Sequence, residues 1–405
     1  MDQQNHRPRH LLLPCLLVAA SAAAWGQEAN PYYVGAGQSF THESNVFRAA
    51  GGGTSDWYST TSLLAGIDQP ISRHRLFGDV GLRHVRFNQQ DQLNHTGGSI
   101  LLGLDWSAID VLSGRVSFNA DRSLAHYGDD LPVANFRDLN LQSTQEFIFR
   151  GQYGLDALLA VEAGFVHRRL DFSAPQPGLA ANEFEQDSVS LGLKYRPTGP
   201  LSVGIAVRRT QGQYPSAGNG VTFGDDFDRD DVELNGTWVA TGQSTLTARL
   251  AGTKEKHQLL TSRNVSTTTG ALGWNYKVTG KTELGLDLIR DTGAEAAFAL
   301  VGAGAAPVND ASVLSTAVQL RAQYDVTAKI QVQASARQQR RDLVNTAGVE
   351  GSDKSLETKL GVTWAPLRSL LVGCAVGREK RESTAGVSYS YSATSTRCLA
   401  QFKTQ

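Results

Sequence analysis

Long apolar runs are what this sequence most plainly lacks. Past Ala24 no stretch approaches the ~20 consecutive apolar residues that a membrane helix requires. Mean hydropathy is −0.26, which argues strongly against a helical membrane protein. An excess of one charge is also missing, because 38 Lys and Arg stand against 39 Asp and Glu for a net charge of −1. Without a basic surplus to neutralise phosphates, nucleic acid is not an expected partner. Methionine occurs once and proline 12 times, against 41 glycines. That balance leans away from several ordinary soluble domains and towards one large closed barrel. Zinc-protease, Cys-x-x-Cys and phosphate-loop patterns are absent, so no metal, cofactor or catalytic residue is expected. The histidines, among them His42, His84, His95, His126, His167 and His257, are scattered without paired spacing.

What is present begins with an address. Arg7, Arg9 and His10 form a basic head, Leu11 to Ala24 an apolar stretch, and Ala24-Trp25-Gly26 a small-x-small cleavage site, as in an export signal. The expected division is a signal peptide over 1–26 and a single domain over 27–405. Cys15 lies within the signal after Pro14, a poor setting for lipoprotein processing. The mature chain keeps Cys374 and Cys398, in an oxidising compartment where disulfides persist.

An internal repeat follows. Short segments ending in an aromatic recur about forty residues apart. They include Gly103-Leu104-Asp105-Trp106, Gly151-Gln152-Tyr153, Gly192-Leu193-Lys194-Tyr195, Gly236-Thr237-Trp238, Gly273-Trp274-Asn275-Tyr276, Arg321-Ala322-Gln323-Tyr324 and Gly361-Val362-Thr363-Trp364. Leu399-Ala400-Gln401-Phe402 is the last of the series, and each internal member runs into a short turn such as Arg196-Pro197-Thr198-Gly199-Pro200.

Period-two alternation surrounds these aromatics. Val189, Leu191, Leu193 and Tyr195 oppose Ser190, Gly192 and Lys194; Leu201, Val203, Ile205 and Val207 oppose Ser202, Gly204, Ala206 and Arg208. Alternate side chains of a strand face opposite ways, so each segment has one apolar and one polar face. Each repeat therefore reads as a hairpin of two long strands. The expected fold is all-β: a transmembrane antiparallel β-barrel of about 18 strands (roughly 16–18), with short periplasmic turns and long extracellular loops. The aromatics before the turns would form the periplasmic girdle. A β-propeller has blades of similar length, but it packs four short strands into each, not two long ones.

A barrel of this size leaves an aqueous lumen. Parity assigns to its wall Arg83, Arg115, Lys194, Arg208, Arg249, Arg321, Arg337, Lys359 and Arg397, with Glu146, Glu162 and Glu233 among the acids. The signs nearly cancel, so strand charge names neither a cation nor an anion channel. Two loops stand out. Gly293 to Ser312 is rich in Ala and Gly and could fold inward as a constriction. Tyr214 to Asp230 holds a run of aspartates, for which a solvated loop is the plainer reading and calcium the sharper one. Cys374 and Cys398 lie equidistant from Gly386 on the last two strands, on the lipid face, which places them for a cross-strand disulfide.

The end of the first strand, Glu43-Ser44-Asn45-Val46-Phe47-Arg48, resembles that of the EpsL-type outer-membrane proteins, which accompany exopolysaccharide synthesis. The turn Gln69-Pro70-Ile71-Ser72-Arg73-His74-Arg75 before Leu76-Phe77, and Arg115-Val116-Ser117-Phe118 leading into Ser123-Leu124-Ala125, are similar to the same family. The resemblance is clearest over the first 130 residues or so and covers no catalytic residue. It implies an outer-membrane pore for polysaccharide export in a Gram-negative cell, with membrane lipid, the polymer, and periplasmic and inner-membrane export proteins as partners. Two other functions suit the same barrel: a general or small-solute porin, and a surface protein that works through its loops.

Overall fold

A computed structural model describes residues 30–108, 111–127, 137–154, 158–174, 183–215, 224–293, 295, 312–344, 349–384 and 388–404. The expected signal peptide and most of the Gly293 to Ser312 loop lie outside the described residues. The described chain is almost entirely strand. In order these are β1 (Tyr32–Glu43), β2 (Asp56–Ile71), β3 (His74–Phe87), β4 (His95–Ala108), β5 (Leu112–Leu124) and β6 (Leu141–Tyr153). Then come β7 (Leu159–Phe172), β8 (Phe184–Thr198), β9 (Leu201–Tyr214), β10 (Asp225–Thr241), β11 (Ser244–His257) and β12 (Val265–Thr279). The last are β13 (Thr282–Asp291), β14 (Ser312–Thr327), β15 (Ile330–Val344), β16 (Glu350–Leu367), β17 (Leu370–Ser383) and β18 (Tyr391–Thr404).

Every strand pairs antiparallel with its sequence neighbours, and β18 returns to β1, with Phe40 opposite Cys398 and Val34 opposite Thr404. The sheet is thus an 18-stranded closed barrel without an edge, which is how strands satisfy their backbone groups inside a bilayer. Outward faces carry exposed apolar rows, such as Val189, Leu191 and Leu193 on β8 beside Val203, Ile205 and Val207 on β9. An apolar outer band, a polar interior and no edge make this an outer-membrane barrel of a Gram-negative cell. Tyr153, Tyr195, Trp238, Tyr324, Trp364 and Phe402 stand exposed at one end of that band.

The turns at the aromatic end are built by sequence-local chemistry. Thr241, Thr279 and Thr327 each accept, at the side-chain hydroxyl, the backbone N–H two residues on, at Gln243, Lys281 and Lys329. This is how Thr mimics a backbone turn. The strand register slips by a residue beside each of them.

At the other end some connections turn inward. Val46 and Phe47 of the first loop are buried with Val85, Phe87 and Leu93, against Tyr58, Leu124 and Tyr127. A second buried cluster holds Leu170, Phe172, Phe184, Tyr214 and Phe227. Gly212 gives the Phe227 ring its place, since a Cβ there would lie 2.4 Å from it. Two loops share one construction. Asp56, at the start of β2, accepts the N–H groups of Gln89 and Gln90, while Asn94 accepts that of Phe87. Asp225, at the start of β10, accepts those of Leu259 and Leu260, while Asn264 accepts that of His257.

The aspartate run is a correction to the sequence reading. Asp225 to Asp231 does not lie in a loop but opens β10. Its parity continues the strand: Asp225, Phe227, Arg229 and Asp231 are buried, while Asp226 and Asp230 are exposed. The buried acids are held by Arg229, His257 and backbone N–H groups, and no metal-binding cluster of His, Cys, Asp or Glu occurs among the described residues.

Candidate functional site

The barrel register puts the parity-assigned charges on the face opposite the apolar rows, and most of them pair with a neighbour. Arg83 pairs with Asp121, Arg115 with Asp105, Lys194 with Glu162 at 2.9 Å and Arg321 with Asp287 at 2.8 Å. Arg337 and Lys359 share Glu357 at 3.2 and 2.6 Å. Arg397, between Ala375 and Thr41 in the register, has no ion pair among the described residues. These pairs are spread around the wall and do not converge.

Four of the assigned residues do converge. Glu146, Arg208, Glu233 and Arg249 enter one network along β6 to β13, together with residues that sequence reasoning left out. Arg208 reaches Asp231 and Glu233, each at 3.0 Å, and Arg249 reaches Glu233 at 3.4 Å and also contacts Asp291. Arg168 holds Glu146 at 2.7 Å. At the centre Arg229, only 1% exposed, holds Asp231 and Asp291 at 2.9 Å each and donates to Thr292. A guanidinium so buried requires carboxylates on several sides to offset its desolvation.

The segment leaving β13 completes this network from inside the barrel. Glu295 lies 2.9 Å from Arg168 on β7 and 3.1 Å from Arg208 on β9, and accepts from Gln186 on β8 at 2.8 Å. None of these strands is paired with β13, so the contacts run through the barrel interior. Burial raises the proton affinity of Glu295, but Arg168, Arg208, Arg229 and the Gln186 amide outweigh it and hold the carboxyl well below its ordinary value. Parity could have found Arg229, which is in phase with Glu233. Nothing local marks Glu295, whose hydrogen-bond partners Arg168, Gln186 and Arg208 are more than eighty residues away.

The other wall carries a second charged group. Arg48, from the first loop, lies 3.5 Å from Glu43 and 3.3 Å from Glu379. His126 is also 3.3 Å from Glu379, and Tyr391 donates to it. Beside them lies a cavity of about 230 Å³, lined in part by Arg337, Glu357, Lys359 and Arg381. Arg341 and Asp353, on β15 and β16, pair at 2.6 Å. The two walls differ in sign. The network sets Arg168, Arg208, Arg229 and Arg249 against Glu146, Asp231, Glu233, Glu255, Asp291 and Glu295. The facing wall sets Arg48, Arg337, Arg341, Lys359, Arg381 and Arg397 against Glu43, Asp353, Glu357 and Glu379. The first is acidic on balance and the second basic.

The two cysteines sit directly opposite on β17 and β18, joined as a disulfide, with exposed Val376 nearby on the outward face.

No family model and no curated protein matches this chain. Among solved structures it is similar to the outer membrane protein OpdK of Pseudomonas aeruginosa, with a TM-score of 0.46 and 13% identity over 92% of this chain and 98% of that one. It is also similar to OccK3 (OpdO) of the same organism, at 0.46 and 13% over 92% and 95%. OccK9 (OpdG), again of Pseudomonas aeruginosa, gives 0.46 and 14% over 92% and 98%. At such identity the likeness concerns barrel form and assigns no solute.

These findings correct the expected family. The solved structures named above are OpdK-type outer-membrane proteins and no family model supports an exopolysaccharide protein, so the EpsL-type assignment, the polymer substrate and the export partners are withdrawn. The runs that suggested them do work that such barrels need in general. Asn45 closes the first turn by accepting the N–H of Ala49, Phe47 fills the mouth, and Ser72 takes a positive φ in a two-residue turn.

Proposed function

We propose that this chain is a passive outer-membrane porin for small hydrated solutes. The observation that carries this reading is the inward turn after β13, where Glu295 is bound to Arg168 on β7 and Arg208 on β9, strands that are not neighbours of β13. In this reading the network and the apolar clusters at the mouth narrow the passage for small solutes and leave no room for a polymer. A barrel of eighteen strands otherwise leaves an open aqueous channel.

The parity-assigned residues are read here as the pore lining. Paired charges keep the wall hydrated while presenting little net charge, so an ion meets no deep trap. The acidic network and the basic facing wall set up a field across the passage. Such a field orders water and orients a dipolar solute, and it acts more strongly between low-dielectric walls than in bulk. We assign the chain no reaction. The buried His257 lies between Asp225 and Glu255 at 2.7 and 3.1 Å, in support of a loop. The test is a planar-bilayer record of the protein purified from outer membranes, paired with uptake of graded sugars into proteoliposomes. Steady open steps with a sharp size cut-off are expected. Silence, or passage of long oligosaccharides as fast as monosaccharides, would end the reading.

A further inference from the structure

The outward face carries a second, separate pattern. On every ascending strand from β3 to β17, the apolar row ends in an exposed cation. Val116, Phe118 and Ala120 lead to Arg122, and Ile205 and Val207 to Arg209. Leu286 and Leu288 lead to Arg290, and Leu250 and Gly252 to Lys254. Arg86, Arg169, Arg340 and Arg378 take this place on β3, β7, β15 and β17. All are exposed.

Their height is set by the strands. Arg122 stands ten residues beyond Leu112, the first residue of β5, and Arg209 eight beyond Leu201. Arg86 stands twelve beyond His74. A tilted transmembrane strand needs about 9–11 residues to cross the hydrocarbon, so these cations lie at the headgroup level of the far leaflet. The near end differs, since the outward positions there are aromatic, as at Tyr195, Trp238 and Trp364, and no outward Lys or Arg sits among them in the described strands. Solubility alone would not put a cation at the same place on eight successive ascending strands.

The acids on this face do not cancel the pattern. Asp171, Asp342 and Glu382 each lie farther from the membrane than the first cation of their strand. Glu350 likewise lies beyond Lys354 on β16, and the acids of β8 and β10 stand beside Arg169, Arg209 and Lys254, where Asp228 pairs with Arg209 at 3.2 Å. Arg86, Arg122, Lys254 and Arg378 have no ion pair among the described residues.

We infer that this belt docks the phosphate groups of the outer-leaflet glycolipid, lipid A, around the barrel. Guanidinium and ammonium groups are the donors suited to phosphate, the former in bidentate geometry. A ring of them just above the apolar band meets headgroup phosphates while the acyl chains cover the aliphatic rows. The inference rests on the barrel and its sidedness, not on what the pore conducts.

The test uses full-length protein purified from outer membranes, stripped of lipid in mild detergent, with lipid A as the probe. Wild type is expected to bind phosphorylated lipid A in saturable fashion and to bind the dephosphorylated form at least about tenfold more weakly. The triple variant R122S/K254S/R378S should also bind the phosphorylated form at least about tenfold more weakly, since each cation at an anionic surface contributes measurably. Heat-modifiable gel migration and unchanged channel conductance would show that it is folded. Equal binding of the two lipids by wild type overturns the proposal whether or not the variant folds. Undiminished binding by the folded variant overturns it as well.

Discussion

Glu295 ties the end of β13 to β7, β8 and β9, strands with which β13 is not paired. Replacing it with Gln keeps the volume but removes the anion shared by Arg168 and Arg208, leaving buried guanidiniums under-compensated. Breaking such a buried pair costs roughly 3–5 kcal/mol, so E295Q should lower the denaturation midpoint and raise open-channel noise. The ordinary glutamate value is about 4.3, and here it is depressed. A depressed carboxyl contributes stability above its unfolded value and loses it only as pH falls through the folded one. Conductance of the wild type should therefore stay flat from about pH 7 to about pH 5, within the range where Glu295 remains charged. A transition in that window that disappears in E295Q would contradict the assignment. For the cysteines, the expected result is that a membrane-permeant thiol reagent labels neither Cys374 nor Cys398 until reductant is added. Labelling of both without reductant would remove the bridge.

Among the elements, the two matching loops after β3 and β11 invite a paired comparison. D56N and D225N each weaken a carboxylate that holds two backbone N–H groups. Removing a hydrogen bond to a charged group costs about 1.5–3 kcal/mol. Hydrogen exchange should quicken at 88–94 in the first variant and at 258–264 in the second, while the strands stay protected. Unchanged exchange in both would show that the aspartates do not organise these loops.

The strands themselves were legible in the sequence because each has one face against lipid, and lipid imposes an apolar residue at every second position. That is why β8 and β9 could be read residue by residue from Val189 to Arg208. The start of β10 was not legible by composition, because its interior face is as polar as a loop. Asp225 and Asp231 are inward residues whose partners, His257 and Arg229, make them part of a wall. The network around Glu295 was hidden for another reason: it depends on a segment after β13 meeting strands that parity cannot bring near it. The family resemblance failed for a third reason, since Glu43 to Arg48 and the turn at Ser72 meet needs shared by many barrels.

At the scale of the whole molecule, the opposed walls make a prediction about ions. The field between the acidic network and the basic group at Arg337, Lys359 and Arg397 should give weak selectivity, because the two sides nearly cancel. Reversing the basic side with R337E/K359E would leave the lumen acidic on both walls. The reversal potential in a salt gradient should then move towards that of a cation-selective pore, with both substitutions acting in the same direction. No movement would mean that the conducting path does not pass this wall.

The central claim is that a charged network narrows an otherwise open barrel to the size of small solutes. The most direct test is single-channel conductance of the wild type and of E295Q in the same membrane, with permeation cut-off measured by graded polyethylene glycols. The account predicts an open wild-type channel with a small cut-off, and a variant with larger conductance and a larger cut-off. A wild-type channel that is closed, or a variant with unchanged conductance and cut-off, would contradict it.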